Sequence, residues 1–322
     1  MLARKNPDFQ GFFIGAPGFE PGTSPTRTAR ATRLRHAPTQ TAVSHTERFA
    51  SDQTVSTHLR SPSGYARPMP CQLQDAIAEL DKLLQPEHFK DYCPNGLQFP
   101  GKSEIRKLAT GVTASAELLE RAVASQADLL VVHHGLFWSS TATPIDSRMK
   151  ARLKLLFDSD MSLAAYHLPL DAHPQVGNNA LIARALGTDK LEPFALHDGQ
   201  PIGFIARFPD EGIDAKDLFS LVTNLTQRTP LVFDAGPEQI SKLAIVSGAG
   251  NDYLQDAVAA GADAFLTGEP AERVMSEAQE SAIHFIAAGH YATETFGVKR
   301  VGEHLRERFG LEHAFIDVPN PI

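Results

Sequence analysis

The chain aligns on itself. Residues 108–134 match residues 243–269 without a gap, at a constant offset of 135, and nine of the 27 pairs are identical. The identities include Ala122-Val123-Ala124 with Ala257-Val258-Ala259, and Ala127-Asp128 with Ala262-Asp263. Ala-rich helices match easily, so the weight lies in the order of elements. In the first copy Lys107–Thr113 reads as a strand, Ala116–Ser125 as a helix and Asp128–His133 as a buried strand. Arg148–Phe157 follows as a helix with Leu153, Leu156 and Phe157 inward, then strand Leu163–His167 and helix Asn178–Leu186, closed by Gly187. In the second copy strands at Leu243–Val246, Ala264–Thr267 and His284–Ala287 alternate with helices at Tyr253–Ala260, Glu272–Glu280 and Glu294–Phe309. An amphipathic helix over 71–85 (Leu73, Ile77, Leu80, Leu83, Leu84) precedes both. Alternating strands and helices predict an α/β fold. We expect two similar α/β lobes with mainly parallel sheets, 69–187 and 188–322, related by internal duplication. Residues 188–241 are expected to be a strand-containing insertion.

Residues 1–68 lack this grammar. They are rich in Ser, Thr, Pro, Arg and Gly and show no sustained hydrophobic period, the composition of a disordered tail. Of the chain's 30 Lys and Arg and 38 Asp and Glu, nine and four fall here, leaving 21 and 34 in the rest, a balance of −13. A basic, acid-poor tail fits a targeting segment or a nucleic-acid arm. A third reading rests on Gly15-Ala16-Pro17-Gly18-Phe19-Glu20-Pro21-Gly22-Thr23-Ser24, which resembles the peptide obtained when a bacterial transfer-RNA gene is translated by mistake. On that reading Met69 is the expected start. The acidic remainder argues against binding a phosphate backbone, which needs basic surface. No stretch approaches the roughly 18 apolar residues that span a bilayer, and two cysteines, Cys71 and Cys93, make neither a disulfide framework nor a cysteine zinc site. A cytoplasmic protein is expected.

In open parallel sheets, ligands bind beyond the carboxyl ends of the strands. Four predicted strands deliver imidazoles or carboxylates there. One ends in His133-His134, one runs into His167-Leu168-Pro169-Leu170-Asp171, one ends in Gly268-Glu269, and one reaches Gly289-His290-Tyr291-Ala292-Thr293-Glu294. Neighbouring strand residues point to opposite faces, so His133 and His134 converge only because the strand ends there. Imidazoles with carboxylates suit borderline divalent metals, namely Zn, Mn, Fe, Co or Ni. A carboxylate also bridges two ions at the roughly 3.5–4 Å spacing of dinuclear hydrolases. Ser247-Gly248-Ala249-Gly250-Asn251 offers a weak phosphate-loop signal against a plain tight turn. His173, close to Asp171, is a weaker candidate for a supporting role.

Pro94-Asn95-Gly96-Leu97-Gln98, Val131-Val132-His133-His134-Gly135, His167-Leu168-Pro169-Leu170-Asp171 with Gly177-Asn178-Asn179, Thr267-Gly268-Glu269 and Gly289-His290-x-x-x-Glu294 together resemble the Nif-three-like family. Its members commonly carry the name GTP cyclohydrolase 1 type 2 homologue. The resemblance covers essentially all of 69–322. It implies two α/β lobes assembled into a toroidal homohexamer, with a dinuclear metal centre between the lobes. Its ligand pattern maps onto His133, His134, Asp171, His290 and Glu294, and His167 and Glu269 match further site positions. The expected function is a hydrolase using two divalent ions on a small molecule such as GTP, with His167 and Glu269 as proton-transfer candidates. The alternative is a metal-handling or metallocentre-assembly protein without turnover.

Overall fold

The computed structural model describes residues 70–139, 144–209 and 211–322. The expectations for 1–68 and for a start at Met69 lie outside the described residues. Two sheets organise the rest. The first has five strands in the order Glu312–Phe315, Lys107–Thr113, Leu129–His134, Ser162–Ala165 and Gly96–Phe99. Its first four strands are parallel to their neighbours, and Gly96–Phe99 closes the edge antiparallel. The second has six strands in the order Leu231–Phe233, His284–Ala287, Ala264–Thr267, Lys242–Val246, Gln200–Arg207 and Leu191–His197. Its central three are parallel, while the flanking strands pair antiparallel. The fold is α/β, with one largely parallel sheet and one mixed sheet.

The central strands read as unbroken apolar runs because both of their faces are covered. In the first sheet Leu129 and Val131 pack with Leu80, Val298 and Leu305 from helices Leu73–Leu84 and Thr295–Phe309. Leu130 and Val132 face the other way, onto Leu118, Leu119 and Leu156 of helices Ala116–Ala124 and Ser147–Ser159. In the second sheet Ile245, Leu266 and Ile286 meet Leu218 and Val222 of helix Ala215–Thr226, while Phe265 and Phe285 meet Leu254, Val274 and Ala278. Burying each such side chain contributes about 1.5–3 kcal/mol. Phe157, expected inward, lies on the outer face of its helix and is 70% exposed, edge-on to Phe99. The neighbouring Leu156 takes the inward place.

The 135-residue offset reappears in the pairing. Leu108 pairs with Leu129, and Leu243 with Ala264. Asp128 accepts hydrogen bonds from the N–H groups of Arg106 and Lys107, and Asp263 accepts from Ser241 and Lys242. The repeated Ala-Asp thus has a physical reason: each carboxylate satisfies two donors at the start of the adjacent strand. The short ribbon Cys71–Gln72 with Glu104–Ile105 leads into helix Leu73–Leu84, and Ile213–Asp214 with Gln239–Ile240 leads likewise into Ala215–Thr226. Within 188–241, expected as an insertion, residues 213–240 therefore follow the pattern of 71–105. The antiparallel hairpin Leu191–His197 with Gln200–Arg207 precedes them. After the second sheet the chain returns to the first through helix Thr295–Phe309 and strand Glu312–Phe315. Among the described residues no helix is long and apolar enough to cross a membrane.

Candidate metal centre

The carboxyl ends of the two sheets bring His133, His134, Asp171, His290 and Glu294 to one place. His133 and His134 close the strand Leu129–His134, and both rings reach Glu294. His133 Nε2 lies 3.4 Å from Glu294 Oε1, and His134 Nε2 lies 3.2 Å from Oε2 of the same carboxylate. His290 opens the short helix His290–Thr293 and places Nε2 3.1 Å from Glu294 Oε1. Asp171 comes from helix Leu168–Ala172, where a strand end was expected, and sets Oδ2 3.4 Å from His133 Nε2. Two donor triads result, His134–His290–Glu294 and His133–Asp171–Glu294, each with ligand atoms within 4.8 Å of one another. They share Glu294. A third triad, His133–His134–His167, brings His167 alongside.

The donor atoms are aimed by their surroundings. His133 Nδ1 is 3.1 Å from the Tyr166 carbonyl, which only accepts, so Nδ1 carries a proton and Nε2 is the nitrogen turned to the cluster. His134 Nδ1 bonds Thr113 Oγ1 at 3.0 Å, and His290 Nδ1 bonds Glu269 Oε1 at 2.5 Å. Asp171 Oδ1 accepts from Asn178 Nδ2 and Ser247 Oγ, at 2.8 and 2.9 Å, leaving Oδ2 for the cluster. Gly248, at φ +63°, lies so close that a Cβ there would overlap Glu294 Oε1.

Two side-chain atoms buried from solvent, His133 Nε2 and Glu294 Oε2, have no hydrogen-bond partner. Orphaned atoms of this kind are costly unless something absent from the protein completes them. Protonation follows the same demand for positive charge. Burial opposes charging His133, but Asp171 and Glu294 outweigh it and push its pKa well up. Burial also opposes ionising Glu294, yet His134 and His133 pull its pKa well down. Against its own burial, His290 is raised to about 9 by Glu294 and Glu269. The donor set and the orphaned atoms fit divalent cations, which would replace these protons.

The two proton-transfer candidates are placed differently. His167 Nδ1 bonds Asp91 Oδ1 at 2.7 Å, while Asn95 Nδ2 and the Leu168 N–H donate to Asp91 Oδ2. Burial acts against the Asp91 carboxylate, but His167 outweighs it and brings the pKa down to about 2. Glu269 sits on His290 Nδ1 and orients that ring. Sequence reasoning missed Asp91, Ser247 and the role of Asn178. The motif context held a signal in Pro94-Asn95-Gly96 and Asn178-Asn179, but their partners are remote in sequence. His173 does not join the cluster; its Nδ1 accepts from the Gln175 and Val176 N–H groups. In the glycine-rich turn the N–H groups of Ser247, Gly248 and Gly250 are taken by Asn179, Thr293 and Thr267, which favours the plain tight turn over a phosphate cradle.

Comparison with known proteins places the chain in a family. Residues 71–321 match the model of the Duf34/NIF3 (NGG1p interacting factor 3) family. A Pseudomonas aeruginosa protein named GTP cyclohydrolase 1 type 2 homolog is 43% identical over 258 residues, covering 79% of this chain and 100% of that protein. A Vibrio cholerae protein of the same name is 41% identical over 249 residues, covering 76% and 97%. Among solved structures, a structural-genomics protein called ybgI, of unknown function, superposes with TM-score 0.73 at 38% identity, covering 78% of this chain and 100% of that one. A Thermus thermophilus protein gives TM-score 0.72, also at 38% identity and with the same coverage. The chain belongs to the Duf34/NIF3 family.

Proposed function

We propose that the chain is a dinuclear-metal hydrolase acting on a small molecule. The observation that carries this reading is the pair of donor triads meeting at Glu294, with His133 Nε2 and Glu294 Oε2 buried and unpartnered. His133, Asp171 and Glu294 would hold one divalent ion, and His134, His290 and Glu294 the other. When bound, such ions acidify a water towards neutrality and polarise the bond it attacks. Glu294 is common to both donor sets, and its two carboxylate oxygens would let it serve both ions. Asp171, fixed by Asn178 and Ser247, presents its remaining oxygen without reorganising. His167, held by Asp91 through Nδ1, keeps Nε2 for taking or giving a proton at the reacting atom. Glu269 acts through His290, setting its ring and tautomer. The toroidal homohexamer and a purine-nucleotide-like small molecule as substrate belong to the same reading, as what the family resemblance implies, and so does the cytoplasmic location expected from the sequence.

The test is metal content per chain by plasma mass spectrometry on the full chain, purified without chelator or affinity tag. Its partner is a His134→Ala, Asp171→Ala double variant. About two ions per chain in the parent and a large loss in the variant are expected. No metal in the parent after supplementation with Mn, Fe, Zn, Co and Ni overturns the reading.

A further inference from the structure

A cavity of about 970 Å³ runs from the candidate metal centre, at His134 and His290, to the helix Ser147–Ser159. That is the size of a small-molecule site. Its walls are mainly apolar, with Leu136, Phe137, Trp138, Ile145 and Met149 prominent. Trp138 borders the cavity with its ring 5.7 Å from that of His134 and 5.1 Å from that of His167. Its Nε1–H already donates to the Gly135 carbonyl, so what the cavity meets is an aromatic wall without a polar demand.

Two cations line the far end. Arg148 already has an acidic partner: its Nε and Nη2 lie 3.0 and 2.9 Å from Asp146 Oδ2, and Asp146 Oδ1 in turn caps the helix at the Met149 N–H. Arg152, one turn further on, is half-buried and has no hydrogen-bond or acidic partner among the described residues. A guanidinium held without a partner at the end of an apolar cavity asks for an anion, and its planar fork matches one carboxylate or one phosphate.

We propose that this cavity is the substrate pocket, and that it takes a planar ring compound carrying a single anionic group. The ring lies on Trp138, the anion on Arg152, and the bond to be hydrolysed faces His134 and His290. The words substrate and hydrolysed rest on the hydrolase reading; the ring on Trp138 and the anion on Arg152 do not. One unpaired cation balances a carboxylate or a phosphomonoester. It does not balance a triphosphate, which would also bring charge against Asp146.

Trp138 is the only tryptophan in the chain, so its fluorescence reports occupancy without turnover. The full chain, with its metal content measured beside it, is titrated with 5′-guanosine monophosphate, nicotinate, guanosine, ribose 5-phosphate and GTP. Guanosine monophosphate or nicotinate is expected to change the emission saturably, and the tighter of the two identifies the anion as phosphate or carboxylate. Guanosine and ribose 5-phosphate each lack one half of the match and bind about tenfold more weakly or worse. Arg152→Ala weakens the better ligand about tenfold or more, while Arg148→Ala leaves it within about twofold. Both positions are exposed or half-exposed in a helix that tolerates alanine, and thermal melting checks that the fold stands. Tighter binding of GTP than of the monophosphate, equal effects of the two arginine variants, or no response to any of these compounds overturns the proposal. Metal content separates this from the reading above: a chain with two ions and no fluorescence response sinks the pocket alone, and one that binds the monophosphate through Arg152 but holds no metal sinks the hydrolase alone.

Discussion

Gly248→Ala separates backbone strain from intrusion into the site. Gly248 has φ +63°, and a Cβ there would overlap Glu294 Oε1 and stand 3.2 Å from His290 Nε2. The first cost is conformational: a left-handed alanine is worse than glycine by about 1 kcal/mol. The second is local to the cluster. Glu294 is almost fully buried, so its carboxylate can yield only by leaving the position from which it faces His133 and His134. Disturbing a carboxylate held this way is expected to lower metal affinity about 10- to 100-fold or more. Gly310 supplies the control. It has φ +69° after the helix Thr295–Phe309, and a Cβ there meets nothing within 4 Å. Gly310→Ala should carry the conformational cost alone, a fall in Tm of about 2–4 °C at this chain length, with metal binding unchanged. Gly248→Ala should lose at least that much and lose the metal as well. Calorimetry and competition with a chromogenic chelator measure the two quantities. Wild-type metal affinity in Gly248→Ala, or an equal loss in Gly310→Ala, refutes the reasoning.

Three further outcomes are expected. Ser247→Ala removes one of the two donors to Asp171 Oδ1 and should weaken metal binding about 10- to 100-fold in the same chelator assay, with the fold retained. Asp91→Asn removes a carboxylate whose folded pKa, about 2, is depressed below its unfolded value, a contribution of roughly 2 kcal/mol. Because the folded pKa is the lower one, that stability is complete above about pH 4 and disappears as pH falls through about 2. Urea midpoints of parent and variant should therefore differ most at pH 7 and draw together as pH falls from about 4 towards 2. A gap that persists unchanged into acid would count against the charge. Asp128→Ala and Asp263→Ala each orphan two strand N–H groups and should each cost about 1–3 kcal/mol in urea unfolding, adding in the double variant. A silent change at either position would break the equivalence of the two.

The central strands were legible because burial on both faces leaves an uninterrupted apolar run, Leu129–Val132 or Ala264–Leu266, that ends abruptly in polar residues. Those ends are where the site residues stand, so His133, His134, His290 and Glu294 could be picked out as strand-end chemistry before any contact was known. Edge strands carry a weaker signal. Leu191–His197, inside the stretch expected to contain strands, mixes exposed and buried positions, and Glu312–Phe315 alternates exposed and half-buried ones, so neither range stands out in the sequence. The helix Leu168–Ala172 is hidden because it is only five residues long, too short for a helical period to show, with Pro169 in its first turn. By itself, then, the sequence determined the strand–helix alternation, the repeated Ala-Asp and which imidazoles and carboxylates stand at strand ends. Each of these follows from local periodicity and from which side chains must avoid or seek water. The tertiary structure alone decided that Glu294 joins two triads, that Asp91 holds His167 and that Ser247 holds Asp171, the last two pairs each 76 residues apart. It alone put Arg152, without a partner among the described residues, on the same cavity as Trp138. Pairing, orphaning and enclosure depend on distances between remote segments, and no local pattern carries them.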